Sequence, residues 1–250
     1  MAVVVVPTLE AMAEIYSLSS SGADQSPRFT TYIEACRSGQ LLHGFNPMTT
    51  KPVAPVIESM LEFNAEQVVL EAGLETSELL SADEDIALFL SVAAPGMWTD
   101  RRANSIEHQL APRHHGELLL WFDDDQSPAS VRAAAIEQTV RAIWWARSED
   151  SPPTLSAVVC REGLAGALAG RQGEHSGAAA EVEEILGEDR SHATAVAFLF
   201  GDNAAQQLGY PTLGLSHDEG LGHAIARTQQ ECAEVDIRQA AQRLLTTCLT

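Results

Sequence analysis

The chain has 250 residues, 45 % of them apolar and 20 % charged, which suits one large domain or a core with a helical appendage and excludes wholesale disorder. Its formal net charge is −20 and Lys51 is the sole lysine, so no basic patch exists to neutralise a phosphate backbone or settle on an anionic bilayer. Nucleic acid and membranes are thereby excluded as partners. A basic protein partner fits the charge, and so does a soluble, self-repelling surface in an acidic proteome.

The N-terminal string "MAVVVVPTLEAM" holds a short apolar run without a basic n-region or a cleavage-like segment, so neither a secretory signal nor a span is expected there. No later segment reaches the roughly twenty apolar residues that cross a bilayer. Cys36, Cys160, Cys232 and Cys248 are widely spaced and form no C-x-x-C pair. This argues against a zinc knuckle or a compact disulfide framework and predicts a reduced, cytoplasmic chain.

Residues 17–27 are rich in Ser, Gly and Asp and read as a loop ahead of a helix over 28–38, and Asn46-Pro47-Met48 reads as a turn. Residues 52–73 are expected to form one helix. Pro52 and Pro55 fall near its first turn, Val53, Val56, Ile57, Met60, Leu61 and Val68 recur at helical spacing, and Gly73 would close it.

Residues 86–92 and 117–122 are short, almost continuously apolar runs, as in strands buried on both faces. Each is followed by a helix-start signal, and 93–116 is long enough for a crossover, so a parallel pair is expected. Ser127-Pro128 opens a helix to about residue 147 with two apolar faces, one through Val131, Ala135 and Trp145, the other through Ile136, Val140 and Trp144. Such a helix belongs between layers or in an interface.

Residues 148–154, "SEDSPPT", mark a boundary, giving an α/β core with N-terminal helices over 1–150 and a mainly helical part over 151–250, or one domain containing both. Residues 155–168 and 193–200 read equally as buried strands or helices. Gly163 to Gly170 carries glycines without a Walker-type Lys-Ser/Thr, so close helix packing explains it better, and 170–177 reads as a connection. Ser216 and Glu219 form an S-x-x-E capping box that opens the last expected helix. The fold class is thus α/β or α+β, helix-rich, with a small, at least partly parallel buried sheet flanked by helices and with helical terminal segments.

Parallel neighbours bring their carboxyl ends to one sheet edge, where open α/β folds place ligands. That edge would gather Trp98, Thr99, Asp100 and Arg101 from one loop and Asp123, Asp124 and Asp125 from the other. Asp100, Asn104 and His108 follow at i, i+4 and i+8 as a polar stripe. Carboxylates with an imidazole suit general acid/base work or a divalent metal ion. The expected activity is hydrolase-type conversion of a small-molecule substrate. Asp123 or Asp125 would be base or metal ligand, with Asp100 and His108 beside them. Arg101 would hold an anionic group, Trp98 would form an apolar wall, and Thr99 and Asn104 would contact substrate. The rival expectation is a non-catalytic subunit, docking on a basic partner or forming a homo-oligomer. Aspartates in a first helical turn also offset the helix dipole, which needs no site at all.

His114 and His115 precede the second strand, at the opposite end from Asp123, and read as an exposed loop pair. The string His217 to His223 fails as a zinc motif, because its histidines are six apart and about 120° off round a helix.

"FDDDQS" after an apolar strand resembles the nucleophile motif of haloacid-dehalogenase-like phosphohydrolases. Residues 198–215, "FLFGDNAAQQLGYPTLGL", are similar to that family's glycine-aspartate metal loop and following strand. The resemblance implies Asp123 as nucleophile, Asp125 as acid/base and Asp202 as a magnesium ligand. The chain departs from the family in that Lys51 lies before both motifs and no second acidic ligand follows Asp202.

Overall fold

The computed structural model describes residues 2–18, 26–40, 42, 44–94, 100–148, 152–233 and 237–247. Among them are three strands, β1 (Val3–Val6), β2 (Ile86–Ala93) and β3 (Gly116–Trp121). Eleven helices accompany them: α1 (Leu9–Ser17), α2 (Ser26–Arg37), α3 (Ala54–Glu62), α4 (Ala65–Leu79), α5 (Arg101–Leu110), α6 (Pro128–Arg147), α7 (Leu155–Leu168), α8 (Gly177–Leu186), α9 (His192–Gln207), α10 (Glu219–Ala233) and α11 (Ile237–Thr247). The protein is therefore a helix-rich α/β chain with a small parallel sheet, and no described helix is long and apolar enough to cross a membrane.

The chain divides into two compact units. The first comprises Met1–Leu74, Asp85–Ala111 and His115–Gln138; the second comprises Glu75–Glu84, Pro112–His114 and Thr139–Thr250. The long helices α4 and α6 each contribute residues to both.

In the first unit the sheet order is β1-β2-β3, all parallel. The apolar N-terminal run is thus a strand, pairing Val3 with Ile86 and Val6 with Phe89. β3 is offset along β2, from Leu88 opposite Gly116 to Ala93 opposite Trp121. Leu88, Leu90, Val92 and Leu118 are buried, as continuous apolar runs in a parallel sheet require. Where β1 stops short, α1 takes over. The buried Thr8 hydroxyl donates to the Leu90 carbonyl, and the Val92 N–H donates to Met12 Sδ at 3.5 Å. Glu66 closes the start of α1 by accepting from the N–H groups of Thr8 (2.8 Å) and Leu9 (3.0 Å).

The helix expected over 52–73 is two helices. Asn64 takes a left-handed φ of 54° between α3 and α4, and Gly73 lies inside α4 rather than closing it. Asparagine tolerates that conformation, so the break carries no glycine or proline to mark it. Residues 155–168 and 193–200 are both helical. The capping-box helix is α10, and α11 follows it as the last described helix. The box forms as expected, with Glu219 accepting from the Ser216 N–H (2.9 Å) and hydroxyl (2.8 Å).

In the second unit the glycines of α7 serve packing. A Cβ on Gly163 would sit 2.4 Å from the Ala224 carbonyl oxygen of α10 and 2.5 Å from Thr228 Oγ1. Cys160 is disulfide-bonded while Cys36 and Cys232 are free, which corrects the fully reduced chain expected from cysteine spacing. Separation along a sequence does not fix separation in a fold.

Candidate functional site

At the carboxyl edge of the sheet, α5 begins with Asp100 as its N-cap, its side chain accepting from the Ala103 N–H at 2.7 Å. Asn104 turns back and donates to the Asp100 carbonyl at 2.7 Å. Arg101 reaches across to the end of β3, where its guanidinium donates to Asp123 at 2.9 Å and also to Asp124. The same guanidinium stacks over Trp121, 5.4 Å from the ring centroid. Side chains in this triad are about half exposed: 42 % for Arg101, 50 % for Asp123 and 48 % for Asp124.

Asp125 serves the next helix. It accepts from the Ser127 N–H (3.1 Å) and hydroxyl (2.8 Å), while Ser130 donates to its carbonyl at 2.7 Å. The aspartate triplet is therefore split by role, with two members neutralising an arginine and the third ordering the entry to α6. Trp98 and Thr99, expected to wall and contact a substrate, lie outside the described residues.

Gly44, ahead of α3, packs closely against β2 and β3. It takes a φ of +69°, and a Cβ there would fall 2.5 Å from Leu119 Cδ1 and 3.0 Å from the Ala93 Cβ, so glycine is required.

His108 is not brought to Asp123. Helix α5 runs back from the carboxyl edge to the amino end of β3, leaving His108 buried with Nε2 3.3 Å from Glu117 Oε2. His115 Nε2 lies 2.9 Å from the other oxygen of the same carboxylate, with its ring edge-on to Phe89 at 5.5 Å. Asp123 lies six positions beyond Glu117, past the end of β3, on the order of 20 Å away. Asp100, Asn104 and His108 thus form a stripe in sequence but not one site. Sequence reasoning missed Glu117, a carboxylate inside an apolar strand, which is the signal that identifies it.

The strand order never reverses across β1-β2-β3, so the crevice that a reversal opens in doubly wound sheets is not formed among these strands. Among the described residues no group of three or more His, Cys, Asp or Glu is placed to hold a metal ion.

The second unit carries the other ionic constellations. Glu162 of α7 is fully buried and accepts from two arginines. Arg161 Nε donates at 2.7 Å, and Arg141 donates through Nε (3.1 Å) and an NH2 nitrogen (2.7 Å). Arg161 lies over Trp144 at 5.1 Å and Trp145 at 5.4 Å. Its burial pulls the guanidinium below the usual arginine range, against the pull of Glu162. The signal for this group was two adjacent charges inside the apolar helix LSAVVCREGLAGAL.

Asp202, the implied magnesium ligand, follows the kink of α9 at Gly201. Its carboxylate accepts from the backbone N–H groups of Leu213 (2.8 Å) and Gly214 (3.1 Å). Residues 198–215 form the end of α9 and a turn, not the metal loop and strand that the resemblance implied.

A polar cleft of ≈ 620 Å³ includes Arg171, His175, Ser176 and Glu219, and Glu219 also accepts from the Ser176 hydroxyl at 2.5 Å. A hollow of ≈ 540 Å³ lies beside α8, where Glu183 pairs with Arg227 and faces His223 Nε2 at 3.6 Å. No family model, curated protein or solved structure matches the chain.

Proposed function

We propose that this chain is an acidic, non-catalytic subunit that docks on a basic protein partner. The observation that carries the reading is that the described carboxylates of the strand-end cluster are already engaged by the protein itself. Asp123 and Asp124 hold Arg101, Asp100 caps α5, and Asp125 orders the start of α6. A general base or metal ligand needs a carboxylate available to a substrate. The net charge of −20 then remains as a long-range field that speeds encounter with a cationic surface. The test is calorimetric titration with a basic helical peptide across ionic strength. Affinity should fall as salt rises and persist near 150 mM salt. Absence of binding at 50 mM salt would sink the reading.

A second reading is favoured by one geometry, the exposed Arg101–Trp121 stack flanked by Asp123 and Asp124 at the ends of parallel strands. In it, an anionic small molecule displaces the aspartates from Arg101, and Asp123 becomes the base or metal ligand of a hydrolase. Combining Asp123→Asn with Asp125→Asn should then abolish turnover of a substrate found by screening, with thermal stability nearly unchanged. Full turnover in that variant would place the chemistry elsewhere.

A further inference from the structure

Helix α8 shows where such a partner would sit, and this inference rests on the docking reading above. The helix starts at Ser176, whose hydroxyl accepts from the Ala179 N–H at 3.1 Å. Its inner stripe is Ala179, Val182, Glu183 and Leu186, of which only Ala179 is fully buried. The outer stripe is Ala178, Glu181, Ile185 and, just past the helix end, Glu188, at spacings of three and four residues. All four are exposed. Ile185 is 70 % exposed, more than any other large hydrophobic residue described; the next, Val4, stands at 54 %.

The hollow beside this stripe is bordered by Glu183, Glu184, Ile185, Glu188, His223 and Arg227. Its floor is balanced internally, because Arg227 pairs with Glu183 and lies 3.7 Å from Glu231. Its rim is not. Among the described residues no ion pair engages Glu181, Glu184 or Glu188. An isolated exposed isoleucine is ordinary. An isoleucine between two uncompensated carboxylates at the lip of a hollow, with Glu181 exposed one turn earlier on the same helix, matches the two halves of a long basic side chain, an apolar stem and a cationic head.

We propose that the α8 face seats a lysine- or arginine-bearing segment of a basic protein. One basic side chain lies with its methylenes along Ile185 and its head between Glu184 and Glu188, and a neighbouring cation reaches Glu181. A second copy of the chain is a poor occupant, since it would bring the same acidic stripe and another −20 of charge to the contact. A neutral apolar ligand would desolvate charged walls without compensating them.

The probe is an eighteen-residue helical peptide of Lys, Leu and Ala, with a matched peptide whose leucines are replaced by glutamine. Titrations at 150 mM salt compare the wild type with Ile185→Ser, with Glu184→Gln/Glu188→Gln, and with Glu58→Gln/Glu62→Gln on α3 as a charge-matched control. Circular dichroism confirms each fold. The exposed α8 substitutions should weaken the peptide about tenfold for Ile185→Ser and about fivefold for the double variant. The α3 control should change affinity less than about twofold, and the glutamine peptide should bind weakly to all four proteins. Protection from amide exchange on binding should be confined to α8 and its flanks. Equal affinities across all variants would overturn the α8 site while leaving the docking reading standing. Absence of binding to the wild type would remove both.

Discussion

Two arginine–carboxylate groups, one in each unit, use the same chemistry at opposite extremes of solvent access. Arg101 with Asp123 and Asp124 stands about half exposed at the end of the sheet. Arg141, Arg161 and Glu162 are closed off, with Glu162 at 0 % exposure and Arg161 walled by two tryptophans. The exposed group was visible in the sequence because three aspartates ended an apolar strand. The buried group is expected to cost far more stability when it is broken. Water already solvates the first set, so pairing gains little beyond it. The second set has given up its water, and its members must satisfy one another.

The largest expected effect is therefore Glu162→Gln. It leaves two guanidiniums buried beside a neutral amide, and breaking a pair of this kind costs about 3–5 kcal/mol. In a chain of this size that lowers the melting temperature by roughly 6–15 °C, as scanning calorimetry would record. A loss below about 1 kcal/mol would show that water reaches the site and would erase the contrast. Replacing Arg141, Arg161 and Glu162 together by apolar residues should recover much of the loss, since a well-packed apolar substitute carries no desolvation cost.

Glu117 is next. It is 8 % exposed and is shared between His108 and His115, so Glu117→Gln should cost about 1–3 kcal/mol. The imidazole signals of His108 and His115 should both shift in NMR spectra of the variant. If only His115 responds, His108 is held by other partners.

How much of this was legible depended on the type of pattern. Ile86–Ala93 and Gly116–Trp121 declared themselves as parallel strands because continuous apolar runs flanked by helix starts have few other readings. β1 escaped because four valines at a chain start match several elements until a partner strand is known. The α3–α4 break escaped because Asn64 supplies a positive φ that sequence usually credits to glycine. At the candidate site, the partnership of Arg101 with Asp123 followed from parallel strands and could be anticipated. The removal of His108 to Glu117 followed from the direction of α5, so residues at i and i+8 on one helix face opposite edges of the sheet. The Arg161 group was hidden because its three members come from two helices whose contact sequence spacing does not encode.

A smaller and pH-dependent effect is expected at His223, 7 % exposed beside Glu183, Arg227 and His175. Burial lowers its proton affinity first, and Arg227 and His175 add to that, while Glu183 opposes it. With the folded value below the unfolded one, the unfolded chain takes up the proton first as pH falls. The stabilising contribution of neutral His223 is thus fully present at neutral pH and above. It declines once pH drops through the unfolded histidine range, about 6.5. Chemical denaturation between pH 7.5 and 5 should therefore show a steeper acid-side loss for the wild type than for His223→Gln. Parallel curves would mean that other carboxylates control the acid limb.

The smallest effect belongs to the residue that looked most like a catalytic centre. Asp123→Asn removes one of two carboxylates from an exposed arginine and leaves Asp124 in place, so its cost should be below about 1 kcal/mol and should shrink further in high salt. Measured against Glu162→Gln under one set of conditions, it fixes the lower end of the contrast between the two ionic groups. It also separates the two functional readings. On the docking reading Asp123→Asn is nearly silent in stability and does not alter basic-peptide affinity at α8. On the hydrolase reading it is equally silent in stability and removes turnover. A loss of several kcal/mol would contradict both, because it would make the Arg101 group a structural clamp rather than a solvated ion pair.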